Sequence, residues 1–399
     1  MNQTQQVVLQ ILKELLNDQA ASVNTEEQDW TEIYKEMKSQ SLLPLTYFWV
    51  QQHGIPNEEI ANQWKQQQFF HFCRWHMMMK NQTELLQLLA ERGYAVAILK
   101  GSSNGVNYPK PQYRVSGDID FLVRMKDYEE IYTYLLENGY TLIGEKDDLK
   151  HHVELKKNNI TFEMHKRPGG TRLSDDQNEK DLIDFFQAGL DHVETVTVDR
   201  YTLPILSELE TAMILLLHTS QHMKGGLGLR HILDWMMFAK DNVNDDFWNK
   251  QLKPMAQKGH VENLAKVMTK MCQKYLGLTL ELTWCKDADD YLCDQLMEYV
   301  FQQGDFGIKT KEAESELRLL SDSQSTGFFT RMANSSLYSM PIAKKYVILR
   351  PIAWIYQLIR YVIQFIHREH PIRTYLVNNR KAKKRTAFLT ELGVRRDEK

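Results

Sequence analysis

Gly117-Asp118-Ile119-Asp120-Phe121-Leu122-Val123 is the stretch on which the reading of the fold turns. It is apolar apart from its two acids and alternates, as a half-buried strand does. Side chains on a strand alternate between faces at a rise of ~3.3 Å per residue. Asp118 and Asp120 are therefore expected on one face, about 6–7 Å apart at Cβ. Each raises the pKa of the other unless a cation lies between them, and hard oxygen donors suit Mg²⁺. A bare Asp-x-Asp also describes two solvated aspartates at a sheet edge, so the surrounding sequence decides between the readings.

Upstream, Tyr94 to Leu99 is an apolar run between Gly93 and Gly101, which reads as a buried strand. Leu99-Lys100-Gly101-Ser102-Ser103 then lies at the junction of that strand with a short helix. Small residues there let backbone N–H groups approach a phosphate. Downstream, Asp127-x-x-Glu130 reads as a capping box, opening a helix that ends near Gly139. Tyr140 to Ile143 is strand-like. His151 to Leu155 and Ile160 to His165 flank Lys156-Lys157-Asn158-Asn159, a hairpin with a polar turn. In the second arm Glu163 and His165 share one face, and Phe162 and Met164 share the other. A third carboxylate on a neighbouring strand completes a site for two metals about 3.5–4 Å apart.

These blocks resemble a poorly characterised nucleotidyltransferase family within the DNA polymerase β-like superfamily. The resemblance is specific in Leu99-Lys100-Gly101-Ser102, Tyr108-Pro109, Arg114 to Val123, His151-His152-x-Glu154-Leu155 and Phe162 to Arg167. It is looser in His218-x-x-x-His222 and Leu229-Arg230-x-x-x-Asp234, and it spans roughly residues 30 to 370. It implies an α+β chain with the minimal nucleotidyltransferase fold, a small mixed sheet with helices, flanked by N- and C-terminal helical regions. It also implies a two-metal Mg²⁺ site and an NTP as donor. Carried onto this chain, Asp118 and Asp120 would hold Mg²⁺ bridging the triphosphate, and Glu163 would bind the second ion and orient, or help deprotonate, an acceptor hydroxyl. Gly101 and Ser102 contact phosphate, while Lys100 and Arg114 neutralise departing pyrophosphate. One departure stands out. Fifteen residues (103 to 117) separate Ser102 from Asp118, where the superfamily has about a dozen.

The flanks read as helical. Helices are expected over Val7 to Leu16, Trp30 to Met37 and Glu58 to Arg92, the last with Met77-Met78-Met79 as core filling. Ser207-x-x-Glu210 reads as a capping box, and further helices fit 230–240, 259–276 and 287–302. The organisation expected is a helical region 1–92, an α+β core 93–200, a helical domain 201–302, a loop-rich linker 303–340 and a C-terminal segment 341–399. His218 and His222 have the i, i+4 spacing of some zinc sites, but Thr219 stands where HExxH has its glutamate and no third ligand is evident. A polar cluster joining helices is the favoured reading. His151 and His152 open a strand and point to opposite faces, so one of them at most is expected near the acids.

The chain has 399 residues, 43% hydrophobic and 25% charged, which excludes a disordered or fibrous polymer. Its net charge of −3 provides no overall field for nucleic acid. No base-reading motif is present, so a template polymerase is not expected. Charge is uneven, with 14 Lys+Arg against 4 Asp+Glu from residue 340 onward. Four scattered cysteines without a CxxC pair point to a reduced compartment, and no signal peptide is read at the N-terminus. Residues 347 to 366 are the most hydrophobic window. Arg350 and Arg360 would cost ~5–7 kcal/mol in a membrane span, and Pro351 weakens it further. An amphipathic helix is expected instead, packed on the body or resting on an anionic membrane surface, followed by the basic run Arg380 to Arg385.

The activity expected is Mg²⁺-dependent transfer of NMP from an NTP to the hydroxyl of an unidentified small molecule or protein, with pyrophosphate release. The location expected is cytoplasmic, with peripheral contact at the inner membrane surface through the C-terminal region. The rival is a non-catalytic nucleotide-binding or interaction module at an anionic membrane surface, in an envelope- or glycan-related system.

Overall fold

The computed structural model describes residues 1–17, 20–146, 150–171, 173–223, 225–309, 336, 340, 342–366 and 384–394. The chain divides into two compact units, Met1–Lys309 and Thr310–Lys399. The boundaries expected at 92/93, 200/201 and 302/303 all fall inside the first.

Four helices open the first unit: α1 (Gln3–Leu16), α2 (Trp30–Ser39), α3 (Leu43–His53) and α4 (Glu58–Ala90). The sequence reading omitted α3, which begins with Pro44 in its first turn, where a missing N–H is tolerated. Trp30, Trp49 and Trp64 are buried among these helices, and the Trp49 indole donates to Glu14 Oε2 at 2.6 Å. In α4, Met78 and Met79 are buried as expected, but Met77 is 41% exposed.

The sheet follows. β1 (Val96–Leu99) leads through α5 (Gly101–Gly105) to β2 (Ile119–Val123). Next come α6 (Tyr128–Glu137), β3 (Thr141–Leu142), β4 (His152–Lys157) and β5 (Ile160–His165). The strand order is β1-β2-β5-β4-β3. Only β2 and β5 are parallel, so the sheet is mixed and the fold α+β. The β4–β5 turn is tight because Asn158 and Asn159 both adopt positive φ (51° and 61°), which asparagine tolerates better than most residues.

Alternation along β2 and β5 divides the sheet into two chemically different faces. Ile119, Phe121, Val123, Ile160, Phe162 and Met164 lie on one, against Leu85 and Leu89 of α4 and Ile131 and Leu135 of α6. Burying each such large side chain is worth about 1.5–3 kcal/mol. Asp120, Glu163 and His165 are left on the other face. Because one face carries the core, a slip of one residue would turn the acids into it, so the register is strongly specified.

Neither expected capping box forms. Asp127 makes no side-chain cap, because Met125–Asp127 is a 3₁₀ turn running directly into α6. Ser207 donates its hydroxyl to the Glu210 side chain and accepts no hydrogen bond from the helix backbone.

After α7 (Gln177–Gly189), a hairpin of β6 (Glu194–Val198) and β7 (Tyr201–Ile205) forms its own two-stranded sheet. The alternating Glu194-Thr-Val-Thr-Val198 carried that signal, which the sequence reading passed over. Helices α8 (Glu208–His222) and α9 (Leu229–Asn242) come next. α10 (Asp245–Phe247) passes through a π turn at Trp248–Leu252 into α11 (Lys253–Lys258), and α12 (Glu262–Leu276) and α13 (Asp290–Gln303) complete the unit.

In the second unit a helix spans Arg350–Ile366, and residues 384–391 are helical. No helix among the described residues is long and apolar enough to cross a membrane. Ala353 and Gln357 are buried, whereas Ile348, Ile352, Ile355 and Ile359 are each more than half exposed. These isoleucines, spaced as one helical stripe, are therefore uncovered. The linker expected over 303–340 lies mostly outside the described residues, as do Arg380 to Lys383 of the basic run.

Candidate active site

The β2–β5 register places Asp120 opposite Glu163 on adjacent parallel strands, on the face turned away from the core. Asp118 precedes β2. All three line one cavity of about 220 Å³. Its walls include Lys100, Gly101 and Arg114 from the β1–β2 connection, His151 and His152, and His218, His222 and Arg230 from α8 and α9.

Asp120 is the most deeply buried of the three acids and the best compensated. Lys100 Nζ lies 2.9 Å from its Oδ1 and His165 Nε2 also lies 2.9 Å from it. Burial pushes the Asp120 carboxyl up, but the lysine and the histidine outweigh it and hold the group below the usual carboxylate range. Burial also opposes charge on Lys100, yet the surrounding acids keep its pKa raised. Among the described residues Asp118 has no such ion pair. Burial first, then the charges of Asp120 and Glu163, raise it to about 7.

Three oxygen-bearing groups around one cavity, one of them pushed toward neutrality by burial and then by its neighbours' charge, form a donor set suited to a hard divalent cation. Asp120, Glu163 and His165 can place ligand atoms within 4.8 Å of one another. Asp120, Glu163 and His165 are thus the side chains that could hold such an ion, and Asp118 lines the same cavity.

The connection from β1 to β2 is locked from behind. Arg114 makes a two-pronged pair with the Asp234 carboxylate, Nε to Oδ1 at 3.0 Å and Nη2 to Oδ2 at 2.5 Å. Tyr108 donates to the same Oδ1 at 2.8 Å. Arg114 also donates to Ser116 Oγ at 2.7 Å, and Arg230 donates to the Val115 carbonyl at 3.1 Å. From the other side Arg74 of α4 holds the Gly117 carbonyl at 2.7 Å. Gly101 has φ +40°, and a Cβ there would lie 3.2 Å from Ser116 Oγ, so the chain passes closely only with glycine.

The seven residues singled out from sequence are not all brought together. Asp118, Asp120, Glu163, Lys100, Gly101 and Arg114 line the cavity. Ser102 does not, because its hydroxyl donates to Gln82 Oε1 at 2.7 Å and faces a smaller pocket beside α4. Arg114 is at the wall, but much of its guanidinium is engaged with Asp234. His151 and His152 both reach the cavity, against the expectation of one at most, since β4 starts at His152 and alternation does not extend to His151.

Arg230 and Asp234 lie four residues apart on α9, a spacing at which the two could pair. They are instead split, Asp234 to Arg114 and Arg230 to Asp305, with Nε to Oδ2 at 3.2 Å. Sequence reasoning missed His231, Gln221, Phe306 and Asp305. His231 directly follows Arg230 in a block already singled out, and that adjacency was its one available signal.

A family model described as "Uncharacterised nucleotidyltransferase" matches residues 26–277, well over half of the chain. The chain belongs to this family, and its class is that of the nucleotidyltransferases. No curated protein matches it. A solved structure titled as that of the antibiotic-resistance factor ANT(2'')-Ia is similar to 49% of this chain and 94% of that one, at 12% identity and a TM-score of 0.29.

Proposed function

We propose that the cleft moves a nucleoside monophosphate from an NTP to an acceptor hydroxyl, with Mg²⁺ and with release of pyrophosphate. The observation that carries this is the pairing of Asp120 with Glu163 across β2 and β5, on the face away from the core, with Asp118 at the same cavity. Bound there, Mg²⁺ supplies charge neutralisation for the triphosphate and lowers the barrier to in-line displacement.

The chain's own groups do the rest. Asp118, Asp120 and Glu163 supply the oxygen donors. Glu163 also orients, or helps deprotonate, the acceptor hydroxyl. Lys100 brings a fixed positive charge to the leaving side, and the Gly101 turn lets backbone approach phosphate. Arg114 adds positive charge at the wall and, through Asp234, holds the loop bearing Asp118. Ser102 has no part in this cleft, its hydroxyl being held by Gln82 beside a different pocket.

The acceptor is a small molecule or a protein side chain, and the location is cytoplasmic with peripheral contact at an anionic membrane surface. The exposed Ile348, Ile352, Ile355 and Ile359 beside Arg350 and Arg360 support that contact.

The test is pyrophosphate release from NTP and Mg²⁺ in the presence of a metabolite mixture or cell extract. Wild type is expected to release it, and Asp118→Ala and Asp120→Asn to lose at least about 100-fold of the rate with unchanged circular dichroism. Calorimetric binding of NTP without any release by the wild type would favour the non-catalytic module.

A further inference from the structure

Across the cavity from the acids lies a second group of ligating side chains. His218 and His222 sit one turn apart on α8, with their Nε2 atoms 2.9 Å from each other. His231, from α9, brings a ring nitrogen to the same place, so that one nitrogen from each ring lies within 4.8 Å of the others. Three nitrogens held about 2.0–2.1 Å from one tetrahedral ion are about 3.3 Å apart. The trio is therefore near the spacing that a single ion would impose.

His231 is 3% exposed, and neither of its ring nitrogens has a hydrogen-bond partner among the described residues. A neutral imidazole carries one N–H and one lone pair, and leaving both unmet in a buried site is costly. Asp305 Oδ1 stands 3.6 Å from His231 Nδ1, too far for a full hydrogen bond but positioned as is the carboxylate that orients a ligating histidine. Without an ion the His218 and His222 Nε2 atoms share one N–H···N hydrogen bond, which an ion in that place would replace.

We propose that His218, His222 and His231 form a site for one transition-metal ion of the Zn²⁺ type, distinct from the carboxylates that suit Mg²⁺. Imidazole nitrogen selects such ions over Mg²⁺. Asp305 orients His231 through Nδ1 and leaves Nε2 for the ion. His218 and His222 line the cavity while His231 lies behind them, so the fourth position opens toward the cavity and takes water or a donor atom of a bound molecule. The site stands whether or not the acids transfer nucleotides.

The experiment adds Co²⁺, whose absorption reports coordination number, to the metal-stripped full-length protein in excess Mg²⁺. Wild type is expected to hold one Co²⁺ with the intense visible bands of a four-coordinate ion, displaced by Zn²⁺. His222→Gln and His231→Ala are expected to abolish the bands, and Asp305→Asn to weaken binding about 10–100-fold. Asp120→Asn is expected to retain them. Should His231→Ala fail to fold, His218→Gln on the half-exposed wall and X-ray absorption of the wild-type Zn²⁺ protein remain, the latter counting three imidazoles. Absence of binding by wild type, six-coordinate bands, fewer than three imidazoles, or bands that survive His222→Gln would each overturn the site. Loss of the bands in Asp120→Asn would assign the ion to the acids and overturn it equally.

Discussion

Lys100 shows how much one residue's position changes its meaning. In the sequence it ends a strand beside Gly101, where a solvated lysine is as natural as a functional one. In the folded chain its side chain is 10% exposed and its ammonium rests on Asp120. Removing one partner of a buried pair leaves an uncompensated charge, a penalty of about 3–5 kcal/mol. Lys100→Met is expected to lose about 3 kcal/mol in chemical denaturation without divalent ions, since His165 still faces Asp120. Added Mg²⁺ is expected to raise the melting temperature of the variant more than that of wild type. Equal shifts would show that Asp120 does not depend on nearby positive charge.

Asp234 illustrates the same scale with pH. Burial would raise its carboxyl, but Arg114, Arg230 and Tyr108 hold it below the ordinary value. A depressed folded pKa contributes stability that is present above the unfolded value of about 3.9 and is lost as pH falls through the folded one. Asp234→Asn is therefore expected to be destabilised by about 3 kcal/mol at neutral pH, with the gap to wild type closing below about pH 4. Urea melts of both proteins between acid and neutral pH measure it. A gap independent of pH would remove the ionic account of the Arg114 clamp.

At the level of elements, the β4–β5 hairpin sets where Glu163 lies relative to β4, and its turn is the least forgiving part. Asn159 is exposed and touches no core, so substitution there tests backbone conformation alone. A β-branched residue at positive φ is strained by roughly 1–2 kcal/mol. Asn159→Val is expected to lose that much stability, while Asn159→Gly stays near wild type, as read by thermal melts. The faces of β2 and β5 were legible from Ile119, Phe121, Phe162 and Met164, because a period of two needs no tertiary information. The pairing of Asp127 with Glu130 and of Ser207 with Glu210 misled, because the same residue types also serve a 3₁₀ entry and a side-chain contact.

For the molecule as a whole, a loop crossing holds the rear wall of the cavity. Gly226 has φ +110°, and a Cβ there would lie 2.0 Å from the Gly307 nitrogen. Only glycine lets the α8–α9 connection pass the chain that carries Asp305 and Phe306. In the C-terminal unit, the exposed isoleucines beside arginines lead to a separate expectation. Vesicles rich in anionic lipid should pull down the full-length protein, binding should fall with added salt, and Ile355→Glu with Ile359→Glu should abolish it. Equal recovery with neutral vesicles would count against an electrostatic contribution.

Local periodicity determined the acidic face of β2, the matching face of β5, the hairpin between β4 and β5, and the blocks that carry the family likeness. Those are properties of neighbours in the chain, and alternation or a turn residue encodes them directly. Tertiary structure alone decided that Asp120 lies beside Glu163, that Lys100 is buried against them, and that His231, Asp234 and Asp305 close around the same cavity. Each of those depends on a strand pairing, parallel or antiparallel, or on helices packed against one another or over the sheet. Such contacts join residues 20 positions apart for Lys100 and Asp120 and 43 apart for Asp120 and Glu163, and no repeat in the chain records which distant face will cover which.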